Sequence, residues 1–411
     1  MKKELSAGEE LSSFAYQPLR GKNIILGVTG SVALYRSVDL ARKLIRMGAS
    51  LKVIMTRFST KLVGPDLFHW ATGNKPYIEM TGETEHIDLA KWGDALIVAP
   101  ATLNTMCKIA FGVLDELLSL TAVTMLGAGK RIVVVPAMNI RLMNSPQYRR
   151  SLEILEEQGV IIIPSLIEED KAKYPPLDDL AHCIDASVNR GRDLRVAKVI
   201  VTAGPTREYI DPVRVITNPS SGLMGVLIAR EAACRGAEVT LVHGPLATEI
   251  PYMVKTVYAD TTDYMAKAIE SLTKEQVHEA AVFAGAPVDF RPISSSEVKI
   301  PTRSTPKLIL ELETTPKVIK SIIKRPRILI GFAAESQSGE ELLRKGKEKM
   351  SDYSLDLVVA NNILSERAGF GKEYLDAIII DSSGVLRDGL IHKHEIARLV
   401  VDYIVSSLRK K

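Results

Sequence analysis

Residues 23–31 read NIILGVTGS, a short apolar run that ends in the glycine turn Gly27-Val-Thr-Gly30-Ser31. The next stretch, 32–47, spaces its apolar side chains as an amphipathic helix does and stops at Gly48, a helix-ending residue. A buried strand fed through a glycine turn into a helix is the repeating unit of a parallel sheet with crossovers. The same theme returns at 51–56 (LKVIMT), at 94–100 (DALIVAP) with a helix from about Asn104, at 131–136 (RIVVVP) and at 160–164 (VIIIP). It breaks at 184–198, which is charged and contains Gly191. It then restarts at 198–204 (KVIVTAG), 238–244 (EVTLVHG), 280–286 (AAVFAGA), 327–335 (RILIGFAAE), 355–361 (LDLVVAN) and 376–381 (DAIIID). Helices are predicted from about Gly222, over 262–272 and over 339–351. The pattern predicts two doubly wound, Rossmann-like α/β domains, 1–190 and 191–411.

A chain of 411 residues has room for two or three domains at roughly 150 residues each. Lys and Arg total 53 against 49 Asp and Glu, a net charge of +4, without a dense basic run interleaved with aromatics. That balance points away from nucleic acid and toward local sites for small phosphate-bearing molecules. No stretch approaches the roughly 18 apolar residues of a membrane span. The leading segment 1–20 is polar and lacks the apolar core of a signal peptide, so a cytoplasmic location is expected. Cys107, Cys183 and Cys234 do not form the CxxC spacing of a zinc site.

The chemistry-bearing residues fall at predicted strand C-termini, where open α/β sheets bind ligands. In the first half these are Gly30 and Ser31, then Thr56, then Pro100-Ala-Thr102-Leu-Asn104-Thr105. A glycine turn before a helix offers unpaired N–H groups and the positive dipole end to a phosphate. Taken alone, Thr102 and Asn104 read more readily as helix N-caps than as ligand contacts. Two further segments stand out: Pro136-Ala137-Met-Asn139-Ile-Arg-Leu-Met143, and Glu85-His86-Ile-Asp-Leu-Ala-Lys-Trp92.

Together with PATLNT, these segments resemble the flavin-dependent cysteine decarboxylase family over about 20–165, with a flavodoxin-like fold. The resemblance implies FMN contacts at Gly30, Ser31, Val32, Thr56, Thr102, Asn104, Thr105 and Ala137. It places Asn139 on the substrate carboxylate and makes His86 the essential imidazole. The chemistry is coherent. A cysteine carboxylate lacks an electron sink, and transient oxidation of the thiol by the flavin provides one without net redox. A histidine suits proton transfer near neutral pH. The family's later flap carries a proton-donating Cys. Here the flap reads Ile167-EEDKAKYPP-Leu177 and has none, leaving Lys171, Lys173, Tyr174 or water as the donor.

In the second half, Val201-Thr-Ala-Gly204-Pro-Thr-Arg207 is followed by Asp211-Pro-Val-Arg214 and Ile216-Thr-Asn218-Pro-Ser-Ser-Gly222-Leu-Met-Gly225. Hydroxyls and glycines at a helix start make an anion site, though Ser-Ser-Gly is as often a simple cap. With Phe283-Ala284-Gly285-Ala-Pro-Val-Asp289, Lys299, Thr315-Pro316-Lys317, Gly331-Phe332-Ala-Ala-Glu335, Asp356-Leu-Val-Val-Ala-Asn361 and Ala368-Gly-Phe-Gly371, the segment 196–405 resembles phosphopantothenate–cysteine ligase. That family activates the 4′-phosphopantothenate carboxylate with a nucleotide, CTP in its bacterial and archaeal branch, and the cysteine amine then attacks. The resemblance implies CTP contacts at Phe283, Ala284, Gly285, Asp289, Lys299, Thr315, Pro316, Phe332 and Lys349. Asn218 would hold the acyl intermediate, Lys299 would offset phosphate charge, and Mg2+ would bridge the triphosphate. The family's second Lys, four residues after Lys349, is Tyr353 here, with Lys345 or Lys347 as substitutes. His392 and His394 read as a strand end rather than a metal pair.

The order of the halves resembles the fused, bifunctional enzymes of coenzyme A biosynthesis. The resemblance implies a homo-oligomer, such as a dodecamer built from trimeric flavin domains and dimeric ligase domains. The alternative is a ligase whose flavin half is a non-catalytic oligomeric scaffold.

Overall fold

Every residue of Ala95–Ala101 is buried, and so is all but the first residue of Asn23–Val28 and Arg131–Pro136. Strands with both faces covered must lie inside a sheet flanked by helices, and they do. The computed structural model of the chain describes residues 16–303, 307–365, 368–369 and 371–410. Residues 1–15 of the polar lead-in and Phe370 of the 368–371 turn lie outside the described residues. The chain divides into two compact units, Met1–Arg192 and Asp193–Lys411.

The first unit is built on β1 (Asn23–Val28), β2 (Ser50–Met55), β3 (Ala95–Ala101), β4 (Arg131–Pro136) and β6 (Ile161–Ile162). They pair in parallel in the order β2-β1-β3-β4-β6. This is the doubly wound, flavodoxin-like order, with its switch point between β1 and β3. Helices α1 (Arg36–Arg46), α2 (Glu85–Trp92), α3 (Leu103–Phe111), α4 (Leu117–Gly127), α5 (Pro146–Glu157) and α6 (Leu177–Asn189) accompany it. Helix α1 buries Val38, Leu40, Ala41, Leu44 and Ile45. Each large side chain among these is worth about 1.5–3 kcal/mol removed from water. The start of the charged 184–198 stretch belongs to α6, whose Asp179 and Asp185 are buried, so a helix replaces the break expected there. A three-stranded antiparallel sheet joins β5 (Met138–Asn139) to the hairpin β7 (Leu166–Glu168) and β8 (Lys171–Lys173).

The second unit carries an eight-stranded sheet, ordered β13-β12-β9-β14-β17-β18-β19-β20. Its strands are β9 (Lys198–Ala203), β12 (Glu238–His243), β13 (Lys255–Tyr258), β14 (Ala280–Phe283), β17 (Ile328–Glu335), β18 (Leu357–Asn362), β19 (Tyr374–Asp381) and β20 (Gly384–His392). Pairing is parallel through β18 and antiparallel from β18 to β20. The short ribbons β10 (Arg207–Tyr209) with β11 (Val215–Thr217), and β15 (Phe290–Pro292) with β16 (Leu312–Thr314), lie apart from the main sheet. Helices α7 (Leu223–Cys234), α8 (Thr262–Glu275), α9 (Gly339–Tyr353) and α10 (Lys393–Lys410) complete the unit. Arg235, 1% exposed, ties Asp193, Glu231 and Asp402 together through its guanidinium. No helix among the described residues is long and apolar enough to cross a membrane.

Candidate active sites

In the first unit the loops that follow β1, β2, β3 and β4 leave the sheet at one rim because these strands are parallel. Hydrogen bonds lace three of the loops together. Thr29 Oγ1 donates to the Pro100 carbonyl at 2.7 Å and accepts from the Thr102 N–H at 3.0 Å. Ser31 Oγ donates to the Ala137 carbonyl at 3.1 Å, and the Ala137 N–H donates to Ala101 O at 3.1 Å. The rim therefore gathers Gly30, Ser31, Thr102, Thr105 and Ala137, while Thr56 is buried one strand away, its N–H on Val28 O at 3.1 Å. Val32 is 81% exposed and Asn104 is exposed on the first turn of α3. Thr102 also N-caps α3, its hydroxyl accepting from the Thr105 N–H at 3.4 Å.

Asn139 is exposed at the end of β5, its Oδ1 capping the next turn through the Arg141 N–H at 2.9 Å. This leaves the amide NH2 for a ligand. His86 sits half-buried on the first turn of α2. Beside it Glu85 accepts from the Thr81 hydroxyl and, at 2.9 Å, from the Thr81 N–H; the hydroxyl contact holds its carboxyl below the usual range. Among the described residues no hydrogen bond joins His86 to Asn139 within one chain.

The flap pairs with the site. Asn139 lies directly opposite Lys171 in the antiparallel register, so both side chains project from one face of the ribbon. Ala172 faces the other way and is buried. Lys173 is held by Glu168 and Glu169 at 3.1 and 2.9 Å. Tyr174 is 2% exposed, packed under the Arg36 guanidinium with its hydroxyl 3.4 Å from Ser37 Oγ, and burial pushes that hydroxyl far up. Of the side-chain donors expected on the flap, Lys171 alone is both exposed and without an ion pair among the described residues.

In the second unit one cavity of about 570 Å3 opens at the carboxyl ends of β9, β14, β17 and β18. Its wall includes Asn218, Ser220–Leu223, Phe283–Gly285, Asp289, Phe332 and Lys349. The glycines explain how a helix start reaches it. Gly222 caps α7 with φ +77°, where a side chain is strained, and a Cβ there would lie 2.1 Å from Leu246 Cδ2. A Cβ on Gly225 would lie 2.6 Å from both the Thr202 carbonyl oxygen and Ala203 Cβ, so α7 presses directly on β9. Asn218 donates to the carbonyls of Ala286 and Pro287 at 3.2 and 3.1 Å, which fixes its amide at the rim. Asp289 accepts from Lys317 Nζ at 2.6 Å. Lys349 Nζ donates to the Phe332 carbonyl at 2.7 Å. Burial pulls that lysine below its ordinary value, against the opposing pull of Glu335.

Three expected ligase contacts lie elsewhere. Lys299 is exposed and off the cavity wall, on a segment fixed by the Ile300 N–H to Asp211 at 3.2 Å. Thr315 is buried with its hydroxyl on the Val288 carbonyl at 2.6 Å, and Pro316 is exposed; neither lines the cavity, whereas the next residues, Lys317 and Val318, do. Tyr353 lines it, but Lys345, paired with Glu348 at 3.3 Å, and Lys347 do not. The sequence reading missed Lys393, which lines the cavity from the start of α10. His392 and His394 stack at 5.2 Å, and the described residues contain no cluster of three or more metal-ligating side chains.

Comparison with known proteins gives the family. Residues 12–189 match the family described as Flavoprotein, and 194–408 match the DNA/pantothenate metabolism flavoprotein C-terminal domain. The chain is 38% identical to a coenzyme A biosynthesis bifunctional protein of Thermococcus kodakarensis, over 95% of this chain and 96% of that one. Its counterpart in Escherichia coli is 32% identical over 96% and 99%. A crystal structure of the C-terminal domain of such a protein aligns at 30% identity over 54% of this chain and 100% of its own, with a TM-score of 0.44. The chain belongs to the family of coenzyme A biosynthesis bifunctional proteins.

Proposed function

We propose that the second unit joins cysteine to 4′-phosphopantothenate at the expense of CTP, and that the first unit decarboxylates the product to 4′-phosphopantetheine. One observation carries the ligase half. A single cavity at a parallel-sheet rim gathers a helix N-terminus, the Asn218 amide, the Phe283–Gly285 turn and the Lys349 ammonium. The α7 start and Lys349 suit phosphate oxygens. Asn218, already oriented by two carbonyls, supplies an amide face for the activated acyl group. Asp289 and Lys317 form the polar mouth, and Lys299, Thr315 and Pro316 act from outside the wall. Bound Mg2+ would supply charge neutralisation to the triphosphate.

The first-unit rim fits FMN. Its donors are neutral hydroxyls and peptide N–H groups, with the exposed Asn104 amide, so a phosphate meets no acidic side chain among the predicted contacts. A bound flavin supplies the reversible two-electron chemistry that decarboxylation requires. The protein residues do the rest. Asn139 holds the substrate carboxylate, His86 takes the thiol proton, and Lys171, across the ribbon from Asn139, returns a proton to the product carbon. His86 and Asn139 converge by association of subunits, consistent with a homo-oligomer acting in the cytoplasm. The match of both halves to bifunctional relatives over nearly their full length favours this over the scaffold alternative.

The test is a purified preparation given 4′-phosphopantothenate, CTP and Mg2+, with and without cysteine. Pyrophosphate release that requires 4′-phosphopantothenate and prefers CTP over ATP supports the ligase reading; release without it refutes that reading. A yellow preparation whose chromophore is FMN supports the first-unit reading, and a colourless one that takes up no added FMN refutes it.

A further inference from the structure

Lys393 stands where a lysine is expensive. It is 4% exposed, and its Nζ donates to the Gly369 carbonyl at 3.0 Å, the one acceptor it has among the described residues. An ammonium has three donors, and here no carboxylate pairs with it among the described residues. Lys393 is also the first residue of the 18-residue helix α10, where the macrodipole is positive and a cation is unfavourable. Burial holds it below the ordinary lysine value. An isolated buried cation is retained at such cost when something neutralises it. It lines the same cavity as Lys349 and Asn361, so an anion in that cavity has access to it.

We propose that Lys393 is a phosphate-binding residue of the second-unit cavity, completing its ion pair with a phosphate group brought by substrate. This rests on the ligase reading of that cavity. The phosphate has two sources, the triphosphate of CTP or the 4′-phosphate of phosphopantothenate, and both are anions that an ammonium binds as a point charge.

The test uses the full-length protein and Lys393→Met, which keeps the length of the side chain and removes its charge. Calorimetry measures binding of CTP, of 4′-phosphopantothenate and of unphosphorylated pantothenate. The expected result is a weakening of about tenfold or more for at least one phosphorylated ligand. Which one weakens identifies the source. Pantothenate binding is expected to be unchanged and the melting temperature of the ligand-free variant no lower than that of the parent. Unchanged affinity for both phosphorylated ligands overturns the proposal. So does a fall in melting temperature with equal losses for all three ligands, since Lys393 would then only hold the Gly369 carbonyl. If the variant fails to fold, acylation of Lys393 in the parent protein is read by mass spectrometry. Protection by inorganic tripolyphosphate or 4′-phosphopantothenate supports the assignment, and labelling indifferent to both overturns it. A parent protein that binds neither CTP nor 4′-phosphopantothenate overturns the ligase reading and this assignment with it.

Discussion

The contact between α7 and β9 makes a demanding test, because geometry alone sets its size. In Gly225→Ala the new Cβ would stand 2.6 Å from the Thr202 oxygen and from Ala203 Cβ, where ordinary contact begins at 3.4 Å. Both neighbours belong to a central strand, paired on one side with β12 and on the other with β14. They cannot yield, so α7 must retreat by about 0.8 Å. Overpacking of this kind costs about 1–3 kcal/mol of stability. The retreat also carries Gly222 and the first amides of α7 out of place in the cavity. A misplacement near 1 Å costs roughly 100-fold in rate where reactants must be oriented. The assay pairs thermal unfolding with pyrophosphate release and, separately, CO2 release from supplied 4′-phosphopantothenoylcysteine. The expected outcome is a lower melting temperature, ligation reduced by roughly one to two orders of magnitude, and decarboxylation unchanged. A Gly225→Ala protein with full ligation would refute the claim that this helix start is part of the site.

Four further expectations follow from named contacts. Lys349→Met removes the buried ammonium proposed to meet a phosphate; a charged hydrogen bond of about 1.5–3 kcal/mol corresponds to a CTP affinity about 10–150-fold weaker by calorimetry. Arg235→Met removes the buried guanidinium that ties Asp193, Glu231 and Asp402 together and should cost about 3–5 kcal/mol in urea unfolding. His278 is 4% exposed and burial depresses its imidazole, over the opposing attraction of Glu279. The unfolded chain therefore binds a proton that the folded chain refuses, from pH 6.5 down to the depressed value. Stability should fall with pH across that window by at most about 1.4 kcal/mol per unit, and His278→Leu should flatten the slope in pH-dependent denaturation. His86→Gln and Lys171→Met should each lower CO2 release from 4′-phosphopantothenoylcysteine by roughly 100-fold while flavin absorbance is retained; loss of the chromophore would make them cofactor ligands instead.

The parallel strands were legible because burial on both faces writes an uninterrupted apolar run, as in Ala95–Ala101. The end of the second sheet was not. In β20 the residues 385–388 are all exposed and an edge strand needs no apolar alternation, so GVLRDGLIH carries little strand signal. Helix α6 hid behind its aspartates, Asp179 and Asp185, which are buried rather than solvated. At the sites, motif and strand end together located Asn218, Phe283–Gly285, Asp289, Phe332 and Lys349 on one wall. Thr315 illustrates the limit: its hydroxyl is occupied by the Val288 carbonyl, a long-range bond that local sequence does not encode. Tyr174 and Lys171 look alike as flap donors in sequence, yet Lys171 is exposed in β8 while Tyr174, just past the strand, is buried against Ser37. Lys393 carries no motif signal, since its significance lies in its burial on the cavity wall.

The central claim is that one polypeptide carries substrate through both steps. It is tested most directly by giving the purified chain 4′-phosphopantothenate, cysteine, CTP and Mg2+ and following the organic products by mass spectrometry. The expected product is 4′-phosphopantetheine, with one CO2 and one pyrophosphate per turnover. Accumulation of 4′-phosphopantothenoylcysteine with pyrophosphate but no CO2 would contradict it.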